Sequence, residues 1–361
     1  MKIALVHEFL NQYGGAERVL ENFLEIWPEA ETYVLLYDKK KTEGRFEKYK
    51  KRISYLNNFP FVRSHYKLLL PLMPKAIESF DFDCFDLVIS DSSAFAKGIK
   101  TSKLHICYCH TPTRYLWTDE DYIDYQKYPK VLKFLGKNYL KKLKKWDYNA
   151  AQRPNFFIAN STNVQIRIKK FYNRDSVVIY PPIDANEFQP VGTKQDYFLA
   201  AGRLEPYKKT DLIIEAFNKL GWKLKILGTG SDLNRLKKLS GSNIEFLGYV
   251  PDKDLARYYS EAKALIFAAV EDAGIVPLEA QACATPVIAY RAGGSLETIK
   301  EGVTGEFFDE QSAESIVEKL KSFDASKYNP ETIRENALQY DKNVFQKKIK
   351  GFVEEKYENR T

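Results

Sequence analysis

A chain of 361 residues exceeds what one hydrophobic core ordinarily supports, so two domains are expected. Its 44% hydrophobic and 29% charged residues are those of a soluble globular protein, and no apolar run approaches the roughly 18 to 20 residues of a membrane span. The formal charge of +7 is one-sided: residues 1–190 carry 30 Lys and Arg against 22 Asp and Glu, whereas residues 191–361 carry 25 against 26.

The N-terminus enters a strand at once, with no charged leader or cleavage site, and a cytoplasmic protein is expected. Cys84, Cys107, Cys109 and Cys283 lack zinc spacing and read as buried, reduced thiols. With His7, His65, His105 and His110 as the complete set of histidines, no metal is expected.

Taken in chain order, strand-like runs alternate with helical segments, the α/β pattern of parallel sheets. The first half places strands at Lys2 to Val6, Tyr33 to Tyr37, Leu87 to Asp91, His105 to Cys109, Phe156 to Ala159 and Val177 to Tyr180. After the first strand, Gly14 and Gly15 open a helix that is apolar at Val19, Leu20, Phe23, Leu24 and Trp27. A glycine pair there lets a phosphate reach free amides, although a plain tight turn explains it equally well. The pattern is not G-x-G-x-x-G, so a dinucleotide is not expected.

His110 closes a strand in "HICYCHTPTRYLW", where ligands of parallel sheets gather, and can orient a substrate hydroxyl, while His105, at the strand's start, reads as structural; for either, a core histidine bonded to backbone is the plain alternative. Lys130 to Arg153 sets eight basic residues against one acid, Asp147, with Val131, Phe134, Leu135, Tyr139, Leu140 and Leu143 at near-helical spacing. Such a helix suits an anionic membrane surface, or else it buries its apolar stripe and leaves a solvated basic face. No nucleic-acid motif accompanies the charge, and no nucleic-acid partner is expected. The proline-rich Tyr180 to Asp196 reads as an interdomain linker.

The second half places strands at Tyr197 to Ala201, Leu224 to Leu227, Ile244 to Leu247, Ala264 to Ala268, Val287 to Tyr290 and Glu306 to Phe308, with a closing helix at Asn343 to Tyr357. Beyond the first of these, Arg203 and Lys208 project from "GRLEPYKK", where a diphosphate would satisfy both; ion pairs with Glu205 or Asp211 are the plain alternative. Gly228 and Gly230 repeat the strand, glycine turn, helix theme, and the backbone of Tyr249 and Val250 can read a nucleobase edge. In "VEDAGIVPLEAQAC" a helix is expected to start at Pro277, with the amides of Gly274, Ile275 and Val276 facing an anion and Glu271 and Glu279 accepting from sugar hydroxyls; the plain alternative is that Glu279 only favours the helix start and Glu271 is a solvated loop residue.

Together the GGAE turn, "CHTPTRYLW", "YPPID", "GRLEPYKK", "GTGSDL", "FLGYVPD" and the E-x(7)-E pair Glu271/Glu279 resemble the family-four retaining glycosyltransferases, in particular the bacterial mannosyltransferases of surface polysaccharide synthesis. The resemblance implies a GT-B fold: two doubly wound Rossmann-like domains facing across a cleft, an acceptor domain over 1–185, a donor domain over 191–340, and a C-terminal helix, 341–361, returning to the first. It implies that Arg203 and Lys208 hold the donor diphosphate, Glu279 the ribose, Glu271 the transferred sugar and His110 that sugar from the other domain, with no cofactor or metal. The implied reaction is retaining transfer of a sugar, mannose from GDP-mannose favoured, to a glycan or polyprenyl-linked acceptor at the inner face of the membrane. The alternatives are a UDP-sugar donor or a non-catalytic subunit that binds nucleotide sugar. Two departures from the family pattern stand out, Ala273 in place of phenylalanine and Ala284 in place of glycine.

Overall fold

The computed structural model describes residues 1–59, 62, 66–118 and 130–360, the side chains of 67 and 130–137 excepted. His65 and the side chains of Val131, Phe134 and Leu135 therefore lie outside the described residues. The chain divides into two compact units, Met1–Tyr180 with Gln346–Thr361, and Pro181–Phe345.

Unit 1 is built on seven parallel strands: β1 (Ile3–Leu10), β2 (Glu31–Tyr37), β3 (Lys51–Ile53), β4 (Leu87–Ser92), β5 (Leu104–Cys109), β6 (Phe156–Ala159) and β7 (Val177–Val178). Their order is β3-β2-β1-β4-β5-β6-β7, so the winding reverses between β1 and β4. The central strands β4 and β5 are buried along their whole length because helices cover both faces, which is why they read as apolar runs rather than alternating ones. β3 was not anticipated: "KRI" at a sheet edge is short, basic and largely exposed, and carries no apolar signal.

Unit 2 has six parallel strands: β8 (Phe198–Ala201), β9 (Leu224–Leu227), β10 (Ile244–Gly248), β11 (Leu265–Phe267), β12 (Val287–Tyr290) and β13 (Gly305–Phe308). The order β10-β9-β8-β11-β12-β13 reverses between β8 and β11. The expected linker divides: residues 181–188 are packed chain, whereas residues 189–196 are exposed. Ile183 and Phe188 are buried in this unit's core, and Ile183 exchanges backbone hydrogen bonds with Tyr340 and Lys342.

The closing helix runs Lys342–Glu358, and from Gln346 onward it belongs to unit 1. There Gln346 donates to Asn22 Oδ1 at 3.0 Å, and the ring of Phe352 meets Phe156 edge-on at 6.3 Å. Of the cysteines, Cys107, Cys109 and Cys283 are buried, whereas Cys84 is exposed, a correction to the expectation for all four. Burial pushes the thiols of Cys107 and Cys283 up to about 12.

Candidate functional site

In a doubly wound sheet the loops at a reversal diverge and leave a crevice beyond the carboxyl ends of the strands. In unit 2 that crevice lies between the loops after β8 and β11. Arg203 follows β8 directly, and its guanidinium donates to the Tyr207 hydroxyl at 3.1 Å. Lys208 ends a short 3₁₀ turn, Pro206–Lys208, and its ammonium pairs with the carboxylate of Glu271, beyond β11. The pair bridges the reversal, with Lys208 10% and Glu271 20% exposed.

Backbone packing holds these loops. Gly228 lies at φ +124°, and a Cβ there would stand 1.9 Å from the Gly202 carbonyl oxygen, so the loop after β9 supports the Arg203 loop only with glycine at that position. Gly228 N–H donates to Gly248 at 2.8 Å, tying in the loop after β10, where Tyr249 is 63% exposed and Val250 packs against the core.

The helix expected at Pro277 begins two residues earlier and runs Ile275–Ala282. Pro277 is tolerated because first-turn N–H groups lack intrahelical partners in any case. Gly274 caps it in the left-handed region, φ +64°, with no side-chain cap, so the amides of Gly274, Ile275 and Val276 stand at the positive end of the helix. Glu279 lies deeper, 7% exposed, with Oε2 accepting from the Tyr259 hydroxyl at 2.9 Å. A cavity of about 600 Å³, lined in part by Phe198, Trp222, Lys263 and Asp324, opens at the other, amino-terminal edge of this sheet, away from all these residues.

Unit 1 has its own cluster at its reversal. His110 follows β5, and its Nε2 meets Asp91 Oδ1 at 2.5 Å; Asp91 Oδ2 meets Nδ1 of His7 at 2.8 Å. Glu17, in the first turn of helix Gly15–Ile26, places Oε1 3.8 Å from His7 Nε2, while its Oε2 is buried without a partner. A buried carboxylate thus already sits at the Gly14–Gly15 turn, and a phosphate there would meet its charge. Burial opposes the charge on His7, but the carboxylates of Asp91 and Glu17 outweigh it and push its pKa up to about 10. Burial opposes the charge on Asp91 as well, yet the two imidazoles hold it below its usual value.

The sequence singles out His110 but not the partners the structure gives it. The available signal was an acid, Asp91, ending an apolar strand that is buried on both faces. His105 is structural: it is buried against Ser90 Oγ at 2.8 Å, and burial, helped by Arg153 and Arg174, pushes its pKa down to about 3.

In the basic helix Lys130–Ala150, Leu143 is buried and Tyr139, Leu140 and Trp146 pack against the same core, while Lys141, Lys142 and Lys145 are exposed. The core-facing alternative therefore holds for the described side chains. The segment Tyr66–Leu72 is a 3₁₀ helix with Leu68 76% exposed, and Met73–Glu78 a short α-helix with Met73, Ala76 and Ile77 buried. Among the described residues no helix is long and apolar enough to cross a membrane.

Comparison with known proteins agrees with this architecture. Residues 13–187 match Glycosyltransferase Family 4 and residues 183–340 match Glycosyl transferases group 1. Two parallel-sheet α/β domains so matched place the chain with the group 1 and family 4 glycosyltransferases of GT-B fold. An uncharacterized glycosyltransferase of Methanocaldococcus jannaschii is 26% identical over 188 residues, 51% of this chain and 53% of that one. A GDP-mannose-dependent alpha-(1-6)-phosphatidylinositol monomannoside mannosyltransferase of Mycolicibacterium smegmatis is 31% identical over 132 residues, 32% of this chain and 35% of that one. The chain spans about half or less of the length of these relatives. Among solved structures, Anabaena HepE in complex with UDP-glucose has a TM-score of 0.76 at 18% identity, covering 98% of this chain and 100% of that one, a likeness of fold.

Proposed function

We propose that the chain is a retaining glycosyltransferase that takes a sugar from a nucleotide-sugar donor bound at the reversal of unit 2. The observation that carries the reading is the convergence there of Arg203, Lys208 and Glu271 around a glycine-capped helix start. A diphosphate would take Lys208 from Glu271 and free that carboxylate for sugar hydroxyls, while Glu279 accepts from the ribose. Arg203, Lys208 and the amides of Gly274, Ile275 and Val276 would stabilise charge on the leaving phosphate, which itself accepts the proton of the attacking hydroxyl. His110 is unit 1's candidate for a sugar hydroxyl. Two cations and a helix start supply the stabilisation that this chemistry requires, and the reading assigns no role to a metal.

The favoured donor is GDP-mannose and the favoured acceptor a glycan or polyprenyl-linked sugar of surface polysaccharide synthesis, used at the cytoplasmic face of the membrane. The mycobacterial relative supports mannose, and HepE with UDP-glucose supports the alternative of a UDP-sugar. The exposed Lys141, Lys142 and Lys145 are proposed to meet anionic lipid; flotation that is independent of lipid charge would remove that role.

The test is nucleotide release from GDP-mannose, GDP-fucose, UDP-glucose, UDP-galactose and UDP-N-acetylglucosamine. Turnover of one donor is expected, reduced about 10²- to 10³-fold by Arg203→Ala and comparably by Glu271→Gln. Binding without turnover, with every acceptor class supplied, would favour the non-catalytic alternative; no binding of any donor would overturn the reading.

A further inference from the structure

Four titratable side chains meet where unit 1's sheet reverses: Glu17 from helix Gly15–Ile26, His7 from β1, Asp91 from β4, and His110 just beyond β5. They form a row of alternating type, carboxylate, imidazole, carboxylate, imidazole, linked at 3.8, 2.8 and 2.5 Å. The first three side chains are at most 4% exposed; His110, at 12%, is the most exposed of the four. Register makes the row possible, because His7 and Asp91 are paired positions on adjacent strands.

We propose that Glu17, His7 and Asp91 form a buried charge relay that orients His110 and sets its ionisation, so that it meets a sugar hydroxyl with one fixed nitrogen. These three are positioning residues. The proposal rests on the transferase reading for the identity of the ligand alone; the relay concerns His110 itself. With Nε2 committed to Asp91, the ring cannot turn freely, and Nδ1 is the nitrogen left for a ligand. The electrostatics follow from the order of the row. His7 stays cationic at neutral pH between its two carboxylates and offsets about one of them, so the row leaves roughly one negative charge to favour a proton on His110. Burial works against that proton, yet Asp91 outweighs it and holds the His110 pKa above its usual value.

Among the described residues, a further charged group facing His110 is Glu8 of β1, whose carboxylate is taken up by the Ser92 hydroxyl and the amides of Ser93, Ala94 and Ala96. Tyr108, in β5 two residues before His110, meets its ring edge-on at 5.3 Å.

The relay predicts opposite effects from two residues that do not touch His110. Glu17→Gln removes a negative charge and should lower the His110 midpoint by about one pH unit; His7→Gln removes a positive charge and should raise it by a similar amount. A general loosening of packing would move both the same way. The measurement is the titration of histidine ring resonances in the full-length, isotope-labelled chain, with His110 assigned through His110→Gln. Opposite shifts support the relay; shifts of one sign, or none, overturn it. Should His7→Gln not fold, an unmoved midpoint in Glu17→Gln overturns it alone. Nucleotide release on the same proteins separates the two proposals. Relay shifts without turnover of any donor would remove the transferase reading and keep the relay, and turnover with an unmoved His110 would do the reverse.

Discussion

Ala284 holds a backbone conformation that its side chain disfavours. It closes helix Ile275–Ala282 at φ +57°, its N–H reaching the Gln281 carbonyl at 2.9 Å while Thr285 N–H reaches Ala280 at 3.0 Å, the paired bonds of a Schellman turn. Glycine is the usual residue at that position because a Cβ in the left-handed region costs about 1–2 kcal/mol. Ala284→Gly should therefore stabilise unit 2, by about 1 kcal/mol once the added freedom of the unfolded chain is subtracted. A thermal melt checks this, and a fall in Tm would show that the buried methyl group contributes more than the strain removes. The departure from the family pattern at this site is thus a matter of turn stability, whereas Ala273, which is buried in the loop that carries Glu271, lies at the candidate site itself.

The helix Lys130–Ala150 shows how an element can carry one message in composition and another in packing. Its single acid, Asp147, is 1% exposed and accepts four hydrogen bonds: Lys97 Nζ at 2.6 Å, and Thr113 Oγ1, Trp117 Nε1 and the Tyr172 hydroxyl at 2.7 Å each. This carboxylate pins the "TPTRYLW" segment that follows His110. Lys97, equally buried, depends on it for its counter-charge. Asp147→Ala should destabilise unit 1 by about 3–5 kcal/mol, because an unpaired charge is left in the core. The double variant Lys97→Met, Asp147→Leu should lose clearly less in denaturant unfolding, since replacing both charges removes that cause. Equal losses in single and double variants would contradict this account.

At the scale of the whole molecule, two buried histidines give opposite pH dependences to the same unit. His7 has its pKa raised from 6.5 to about 10, so its contribution is full below pH 6.5 and is lost as pH rises towards 10. His105 has its pKa lowered from 6.5 to about 3, so the native state declines a proton that the unfolded chain accepts, and stability is lost as pH falls from 6.5 towards 3. Their combined contribution should peak near pH 6.5, each limb with a slope of up to about 1.4 kcal/mol per pH unit. Denaturant unfolding followed by tryptophan fluorescence reports mainly unit 1, which holds Trp27, Trp117 and Trp146 against Trp222 alone in unit 2. His105→Gln should flatten the acid limb and His7→Gln the alkaline one; limbs unchanged in both variants would exclude these groups as the source. What the sequence by itself determined is what local chemistry writes into short stretches. Apolar runs marked the strands other than β3, glycine turns marked the loops, and Arg203, Lys208, Glu271 and His110 stood at strand ends where ligands of parallel sheets bind. Only the tertiary structure decided which residues separated in sequence share a charge. Glu17, His7, Asp91 and His110 come from four elements, and Asp147 meets Lys97 across 50 positions. Such pairings depend on strand order and register, which no local spacing encodes, and burial then gives them their strength by removing the water that would otherwise screen them.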